Sequence, residues 1–532
     1  MKNVTSISSE KCKHIQEAII CLLLFAFLYI WSMVQPLYEQ PDEWCRYILP
    51  YYMMETGKLP NGNVPSLIIG TYGVSYAFFP GLPYIFMAAF MKITSFFTTS
   101  SYVLLMSART VNILAAVITF IFLRRIAERL FASSLAGWFF SLTAILWPQV
   151  LFIFTYVNCD GFAYMSCAII IYALADGIKN GWRKGNINWL AIGIAICLLS
   201  YFNAYGMIVG AFITFVLSFI KRKDKENELS GEGNVSQASR GKYVFDIKGC
   251  IMQGLIVAGL VFVLAGWWFI RSAVLYEGDF IGLAANARCA EQYAIDAFKP
   301  SMKETIQSAG GSIMDLLRNQ DYMFLVKQSF FGRFGNMILP ASNFVLRGYK
   351  LILFAGMAGI ALTIAVAFIN VIKRKKVNKQ LAADALAKKT SVGKACDEKR
   401  ADKTTRINEM VYGVDGIPLC GLLIGNAIAA FIAAFLCVWY SYSNDYQPQG
   451  RYILPAVIPM LTIIFGGIGK LTQVSYLFEY RGRKLGKYIT YFIYACIFTY
   501  LILASFNCLH TIYTAYYPEI NDTMALSFYR EF

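Results

Sequence analysis

The sequence predicts an all-α integral membrane protein with about 11 transmembrane helices (10–13) and a long first outer loop that carries juxtamembrane helices. Of its 532 residues, 57% are hydrophobic and only 15% are charged, whereas soluble globular proteins carry roughly 25% charged residues. Several apolar stretches of about 17–25 residues lack charge, which is the length that a helix needs to cross a bilayer. Basic residues cluster between these stretches, as expected for the cytoplasmic side.

The first predicted spanning helix, 17–35, has no small-residue cleavage site after it, so we expect it to be retained rather than removed as a signal peptide. A pair of short helices is separated by "YFNAYG". The remaining predicted spans, including that pair, are 102–122, 134–154, 160–178, 187–202, 204–220, 250–270, 347–371, 417–440, 452–470 and 488–508.

Lys and Arg mark the cytoplasmic side of membrane proteins. Placing the N-terminus in the cytoplasm puts most of the 48 Lys and Arg residues in inner segments. The apolar run Tyr76–Ile93 contains two prolines, and if it spanned, "RRIAER", "KNGWRKGN" and "KRKDK" would all lie outside. We therefore expect this run to lie along the outer surface. The alternative is a true span with the N-terminus outside.

The predicted organisation is a polytopic transmembrane domain over 17–508 after a cytoplasmic N-terminus, 1–16. Two polar, charged stretches are expected to be solvated cytoplasmic linkers. The loops and linkers are the first outer loop, 36–101, the linkers 221–249 and 372–416, the outer loop 271–346 and an outer C-terminal tail, 509–532.

The formal net charge of +16 is explained by the cytoplasmic basic residues, so no nucleic-acid partner is expected. The 13 cysteines are scattered without a CxxC pair and there are only two histidines, which disfavours a zinc site or a disulfide framework. No GxGxxG or P-loop motif indicates a cytosolic nucleotide site.

Charged residues at helix ends, and Arg109 about two turns into the second predicted helix, collect at one predicted level, the outer boundary of the bilayer. Such charges are costly in a membrane and usually functional. Their position argues against an ion pathway, which would place acids near the midplane. Arginines match phosphate and carboxylates accept protons from hydroxyls, so a pocket for a lipid-linked phosphate is expected. The residues are Asp42, Glu43, Arg109, Asp160, Arg271 and Arg451.

Each of these residues also has a simpler interpretation. An arginine at a helix end often extends toward lipid headgroups. Asp160 could be a helix N-cap, and Asp42-Glu43 after a proline could be a solvated turn. The shared level and the mixture of charges favour a functional site.

The stretch "QPDEWCRYILPYYMMETGKLP" resembles the first outer loop of GT-C superfamily membrane glycosyltransferases, such as the protein O-mannosyltransferases and the aminoarabinose transferases. In these proteins an acidic motif follows the first helix and a G-x-L-P often closes the stretch. Further blocks match in order over about residues 15 to 460. They are "SARTVNILAAVITFIFLRRIAERLF", "WPQVLFIFTYVNCDGFA", "GWWFIRSAVLY", "SFFGRFGNM" and "PQGRYILPAVIP". The sequence departs from the family at Arg46, where relatives have His, at Asn203, where relatives have Lys, and at Ser272.

The resemblance implies inverting transfer of a sugar from a polyprenyl-phosphate donor in the outer leaflet to a hydroxyl of an extracytoplasmic glycan, protein or lipid. It implies Asp42 as general base, Glu43 as the group that orients Asp42 or the acceptor, and Asp160 as a second acid for sugar hydroxyls or a metal. No cofactor is assigned, and a divalent metal is left open. The expected donor phosphate and sugar ligands are Arg271, Arg451, Arg46, Arg109 and Arg333.

Two other functions stay open at the level of sequence. A transporter or flippase of lipid-linked sugars should show an inverted repeat and polar residues near the midplane, and neither is found. A non-catalytic envelope protein with this fold is compatible with the departures at Arg46 and Asn203.

Overall fold

The computed structural model describes residues 2–222, 243–387, 411–414, 416–475, 479–480, 483–484 and 486–521. These residues form mainly helices, with three short antiparallel strand pairs. The strands are β1 (Ile220–Arg222) with β2 (Tyr243–Phe245), β3 (Arg333–Phe334) with β4 (Leu339–Pro340), and β5 (Glu479–Tyr480) with β6 (Arg483–Lys484).

Eighteen α-helices are described. They are α1 (Lys2–Met33), α2 (Glu43–Thr56), α3 (Leu82–Ser95), α4 (Ser101–Leu130), α5 (Ser134–Ile145), α6 (Pro148–Ile153), α7 (Asp160–Asn180), α8 (Lys184–Leu198), α9 (Gly206–Leu217), α10 (Ile247–Val261), α11 (Trp267–Leu275), α12 (Leu283–Tyr293), α13 (Ile313–Arg318), α14 (Gln320–Phe331), α15 (Asn343–Ala387), α16 (Gly416–Ser443), α17 (Val457–Ser475) and α18 (Gly486–Asn521).

In the described part of the chain, 8 helices are long and apolar enough to cross a membrane, which agrees with a multi-pass membrane protein. The exact count of 11 stays a prediction. The eight segments are Lys13–Met33, Ser101–Leu130, Asp160–Asn180, Ile247–Leu275, Asn343–Ile369, Gly416–Ser443, Gly450–Gln473 and Gly486–Tyr516.

The other three predicted spans are shorter helices in the structure. The predicted span 134–154 is interrupted between α5 and α6, where Trp147 has an extended ψ of 124° before Pro148. The ring of a proline disfavours a helical backbone at the residue before it, and this explains the break at Trp147. The indole of Trp147 is buried and donates to the carbonyl of Phe330 at 2.8 Å, so the interruption is held by a tertiary contact.

The first loop (residues 36–101) contains α2 and α3. Helix α3 has 14 residues and covers most of the apolar run Tyr76–Ile93, whose first residues form a separate 3₁₀ helix, Tyr76–Phe78. At 1.5 Å per residue it is about 21 Å long, shorter than the roughly 30 Å hydrocarbon core. It packs on α2 and α4, which places the first loop over the start of α4.

Helix α7 forms the centre of the bundle and is buried along most of its length between α4 and α8. Helix α1 packs antiparallel on α4, because its C-terminal end meets Arg109 and its N-terminal part meets Arg125. Helices α9 and α16 form another close pair, as do α15 and α17.

The boundaries of loops and linkers differ in detail from the expected ones. Helix α15 continues through Ala387 into the predicted basic linker, and α18 continues through Asn521 into the predicted tail. The strands β1 and β2 flank the first predicted linker, most of which lies outside the described residues. The assignment of each segment to the inside or the outside stays a prediction.

Candidate active site

Asp42 lies where the first loop turns into α2. Its backbone has φ 59° and ψ 11°, a left-handed conformation that aspartate tolerates better than most residues. Although Asp42 occupies the N-cap position, its side chain makes no capping hydrogen bond to α2. The carboxylate is instead directed toward Arg451, and 41% of the side chain remains exposed.

Two arginines flank the Asp42 carboxylate. Oδ2 of Asp42 lies 3.1 Å from Nη2 of Arg451 and 4.0 Å from Nη2 of Arg46. Burial alone would raise the pKa of Asp42, but the charges of Arg451 and Arg46 outweigh it, together with hydrogen bonds from Arg451 and Tyr76. The pKa of Asp42 is therefore lowered, and the carboxylate is ionised at neutral pH.

Arg46 connects the first loop to the segment that precedes α7. It is buried, and its Nη1 lies 3.0 Å from the hydroxyl of Tyr84 and 2.8 Å from Sγ of Cys159. Its guanidinium also lies 4.4 Å from the ring centroid of Tyr76. These contacts place Arg46 between Asp42 and Cys159, the residue that precedes α7.

Asp160 is buried at the first residue of α7, and among the described residues its Oδ2 has no hydrogen-bond partner. The interpretation of Asp160 as an N-cap is wrong, because Asn158 Oδ1 accepts from the backbone N–H of Gly161 at 3.1 Å instead. The helix N-terminus still favours a negative charge here. The carboxylate thus keeps a free acceptor oxygen next to the Arg46 contact with Cys159.

Arg451 completes the site from the short 3₁₀ helix Gly450–Ala456, which leads into α17. It is buried, and its Nε donates to Gln449 Oε1 at 2.7 Å. Its Nη1 and Nη2 approach the hydroxyls of Tyr156 at 3.3 Å and Tyr452 at 3.4 Å. Several groups therefore hold this guanidinium against Asp42.

Glu43 and Arg109 pair with each other rather than with the groups around Asp42. Nε of Arg109 donates to Glu43 Oε1 at 2.8 Å, Nη2 lies 2.5 Å from Oε2, and both side chains are fully buried. Glu43 Oε1 also accepts from the backbone N–H of Val157 at 2.7 Å. Arg109 Nη1 donates to the carbonyls of Ser32 and Gln35, each at 2.8 Å. This network joins α1, the first loop, α4 and the segment before α7.

Arg271 and Arg333 are held by other partners. Arg271 Nη2 donates to the carbonyl of Pro60 at 2.7 Å, and its guanidinium lies 5.2 Å from the ring of Trp268. Arg333 donates to Gln328 Oε1 at 2.7 Å and to the carbonyl of Met337. Across the described residues, neither arginine contacts Asp42 or Asp160.

Sequence reasoning missed the tyrosines that surround the charges. Tyr76 and Tyr84 come from the first loop and Tyr156 from "TYVNCD". Burial raises the pKa of Tyr76 and of Tyr84 well above the ordinary value, so both phenols stay protonated. Tyr76 donates to the carboxylate of Asp42, and the hydroxyl of Tyr84 accepts from Arg46. The only signal in the sequence was a hydroxyl within an apolar run, which is weak in a chain with 34 tyrosines.

The residues present do not fit a divalent metal. In the described ranges, no group of three or more His, Cys, Asp or Glu side chains comes together. The carboxylate of Asp42 already has two guanidinium neighbours, Arg451 and Arg46. Positive charges at this distance oppose the binding of a further cation.

No family model and no curated protein matches the chain. Its structure is similar to ArnT from Cupriavidus metallidurans bound to undecaprenyl phosphate, with a TM-score of 0.48, 10% identity and coverage of 94% of this chain and 76% of that chain. It is also similar to the archaeal oligosaccharyltransferase AglB from Archaeoglobus fulgidus, in complex with an inhibitory peptide and a dolichol-phosphate. That match has a TM-score of 0.46, 12% identity and coverage of 95% of this chain and 56% of the other. Both are GT-C membrane glycosyltransferases, the class that the sequence resembles, but likeness at this level says nothing about the chemistry of the site.

Proposed function

We propose that the chain is a membrane glycosyltransferase that moves a sugar from a polyprenyl-phosphate donor to an acceptor hydroxyl, with inversion. The observation that supports this best is the arrangement of an accessible carboxylate, Asp42, against two buried guanidiniums, Arg451 and Arg46. A base for a hydroxyl and cations for a leaving phosphate are what such a displacement needs.

Asp42 acts as the general base. Its carboxylate is ionised and partly exposed, so an acceptor hydroxyl that replaces solvent beside it transfers its proton there as the oxygen attacks the anomeric carbon. A correctly placed base contributes on the order of 10²–10⁴ in rate.

Arg451 and Arg46 receive the departing phosphate. Both are buried and fixed by neighbouring tyrosines, so they need little rearrangement as negative charge develops on the leaving oxygen. Asp160, with its free oxygen, accepts a hydrogen bond from a donor-sugar hydroxyl. Arg271 and Arg333, which have other partners, are left outside the reacting group.

Glu43 and Arg109 act as positioning residues. Their buried pair fixes the turn that carries Asp42 to α4 and to the segment that carries Asp160. The site is proposed to face outside, with the N-terminus in the cytoplasm, as the distribution of Lys and Arg favours.

The test is the Asp42→Asn variant of the full chain, assayed in nanodiscs with a panel of undecaprenyl-phosphate sugars by the release of undecaprenyl phosphate. We expect turnover to fall by about 10²–10⁴, with binding of undecaprenyl phosphate retained. The matched control is Glu55→Gln, an exposed acid at the other end of α2. Unchanged turnover in Asp42→Asn, or no turnover of any donor by the wild type, would contradict the proposal.

A further inference from the structure

A second charged cavity lies at the opposite end of α4 from Arg109. Between Arg109 and Arg124 the helix advances about 22 Å, most of the thickness of a bilayer core. The cavity measures about 420 Å³, within the usual size of ligand sites. It is formed by the N-terminal part of α1, the end of α4 and the start of α5.

Arg124 is the buried cation that lines this cavity. Its side chain is only 6% exposed, and its guanidinium stacks on Trp138 at 3.5 Å from the ring centroid. Among the described residues, Nε and Nη1 of Arg124 have no hydrogen-bond acceptor, although Glu17 Oε1 lies 3.7 Å from Nε. A guanidinium fixed in this way, with free donors, matches the oxygens of a phosphate.

The charges that line the cavity favour an anion. Glu17 also pairs with Arg125 at 3.2 Å, and Arg125 pairs with Glu128 at 3.2 Å. Arg129 forms an ion pair with Asp176, with Nε 2.6 Å from Oδ1. The lining cations are Lys13, Arg124, Arg125 and Arg129, with His14 beside them, and the lining carboxylates are Glu17 and Glu128. Cations therefore outnumber carboxylates in the lining.

The cavity lies at one end of two apolar spans, Lys13–Met33 and Ser101–Leu130. The exposed Ile15, Ile19 and Leu22 lie on the opposite face of α1 from the cavity, so they do not form part of it. The end of a spanning helix lies at the level of the lipid headgroups, so a headgroup phosphate is within reach of the cavity.

We propose that this cavity binds a phosphate-bearing anion through Arg124. The position of the cavity at the end of these spans favours a phospholipid whose headgroup phosphate enters the cavity. A free phosphate-bearing solute would use the same chemistry, and the two sources are distinguished by experiment.

The experiment follows thermal unfolding of the purified full chain in detergent during titration with short-chain phosphatidylglycerol, the corresponding diacylglycerol without phosphate, or inorganic phosphate. A ligand that binds the folded state raises Tm with concentration. We expect phosphatidylglycerol to raise Tm, diacylglycerol to have no effect, and Arg124→Gln to weaken apparent affinity by about tenfold or more. A shift with inorganic phosphate, lost in the same variant, would identify a soluble anion as the source.

The matched control is Arg183→Gln, because Arg183 is 60% exposed, lies outside the cavity and pairs with Asp176. It should bind phosphatidylglycerol like the wild type. If Arg124→Gln does not fold, Arg125→Gln removes a lining cation that is 30% exposed. The proposal is overturned if no phosphate compound gives a shift that depends on Arg124 or Arg125, or if Arg183→Gln loses as much affinity.

Discussion

At the scale of single residues, Asp42 is partly exposed, yet its pKa is set by two neighbouring arginines. Its ordinary pKa of 3.8 is lowered in the folded chain, mainly by Arg451 and Arg46 against the opposing effect of burial. The ionised form therefore stabilises the fold above that ordinary value, and this contribution is lost as the pH falls through the lowered pKa. The proposed base is therefore ionised, and able to accept a proton, at every physiological pH.

The variant Arg451→Gln should move the acid limb of turnover to higher pH. It removes the nearest positive charge, so the pKa of Asp42 rises and protonation inactivates the base earlier during acidification. The measurement is the pH dependence of kcat/KM, whose shape is independent of the accompanying loss of rate. Arg271→Gln, at an arginine held by Pro60, should leave the limb in place. An unmoved limb in Arg451→Gln would show that Asp42 is not the titrating group.

The level shared by Asp42, Asp160 and Arg451 could be predicted from sequence, because helix ends and the distribution of basic residues indicate depth. The choice of partner could not be predicted. Glu43 is adjacent to Asp42 in the chain, yet it turns to Arg109, since the start of α2 directs successive side chains to different faces. Arg109 also binds the carbonyls of Ser32 and Gln35, which no pattern of residue types reveals.

At the scale of elements, the break between α5 and α6 had a signal in the sequence. Pro148 follows Trp147, and a proline commonly marks the start of a new helix. The long apolar character of the segment hid this signal, because hydropathy measures composition and not continuity of the helix. Close packing of α9 on α16 had no comparable signal, as the glycines at the contact resemble many others in the chain.

The variant Gly210→Ala should destabilise the α9–α16 contact. A Cβ at Gly210 would collide with the carbonyl oxygen of Gly425, which is backbone and cannot easily move. Overpacking of this kind costs about 1–3 kcal/mol, and we expect a lower Tm in the same detergent. In the control, Gly259→Ala, the added methyl meets nothing within 4 Å, so Tm should stay or rise slightly. Equal effects of the two substitutions would contradict a tight contact at Gly210.

At the scale of the whole molecule, α1 and α4 connect two charged sites at opposite ends of the bundle. One contains Asp42 and the other contains Arg124. The basic residues of the sequence indicated which end is cytoplasmic, since translocation disfavours Lys and Arg. Labelling from one side of the membrane tests this orientation.

Labelling of introduced cysteines by a membrane-impermeant maleimide should place the first loop outside. We expect Lys58→Cys to react in intact cells and Lys13→Cys only after permeabilisation. Both positions are exposed, but Lys13 begins the apolar span Lys13–Met33 and Lys58 lies in the first loop beyond its other end. The unsubstituted chain gives the background from the exposed Cys420 and Cys496. The reverse pattern would place the Asp42 site in the cytoplasm and exclude an outer-leaflet donor.

The left-handed turn at Asp42 also decides which replacements are informative. Asn and Gly occupy such a backbone readily, whereas a β-branched residue does not. Loss of turnover in Asn or Gly variants would therefore report on the missing carboxylate, whereas a Val or Ile variant would confound lost chemistry with a distorted chain.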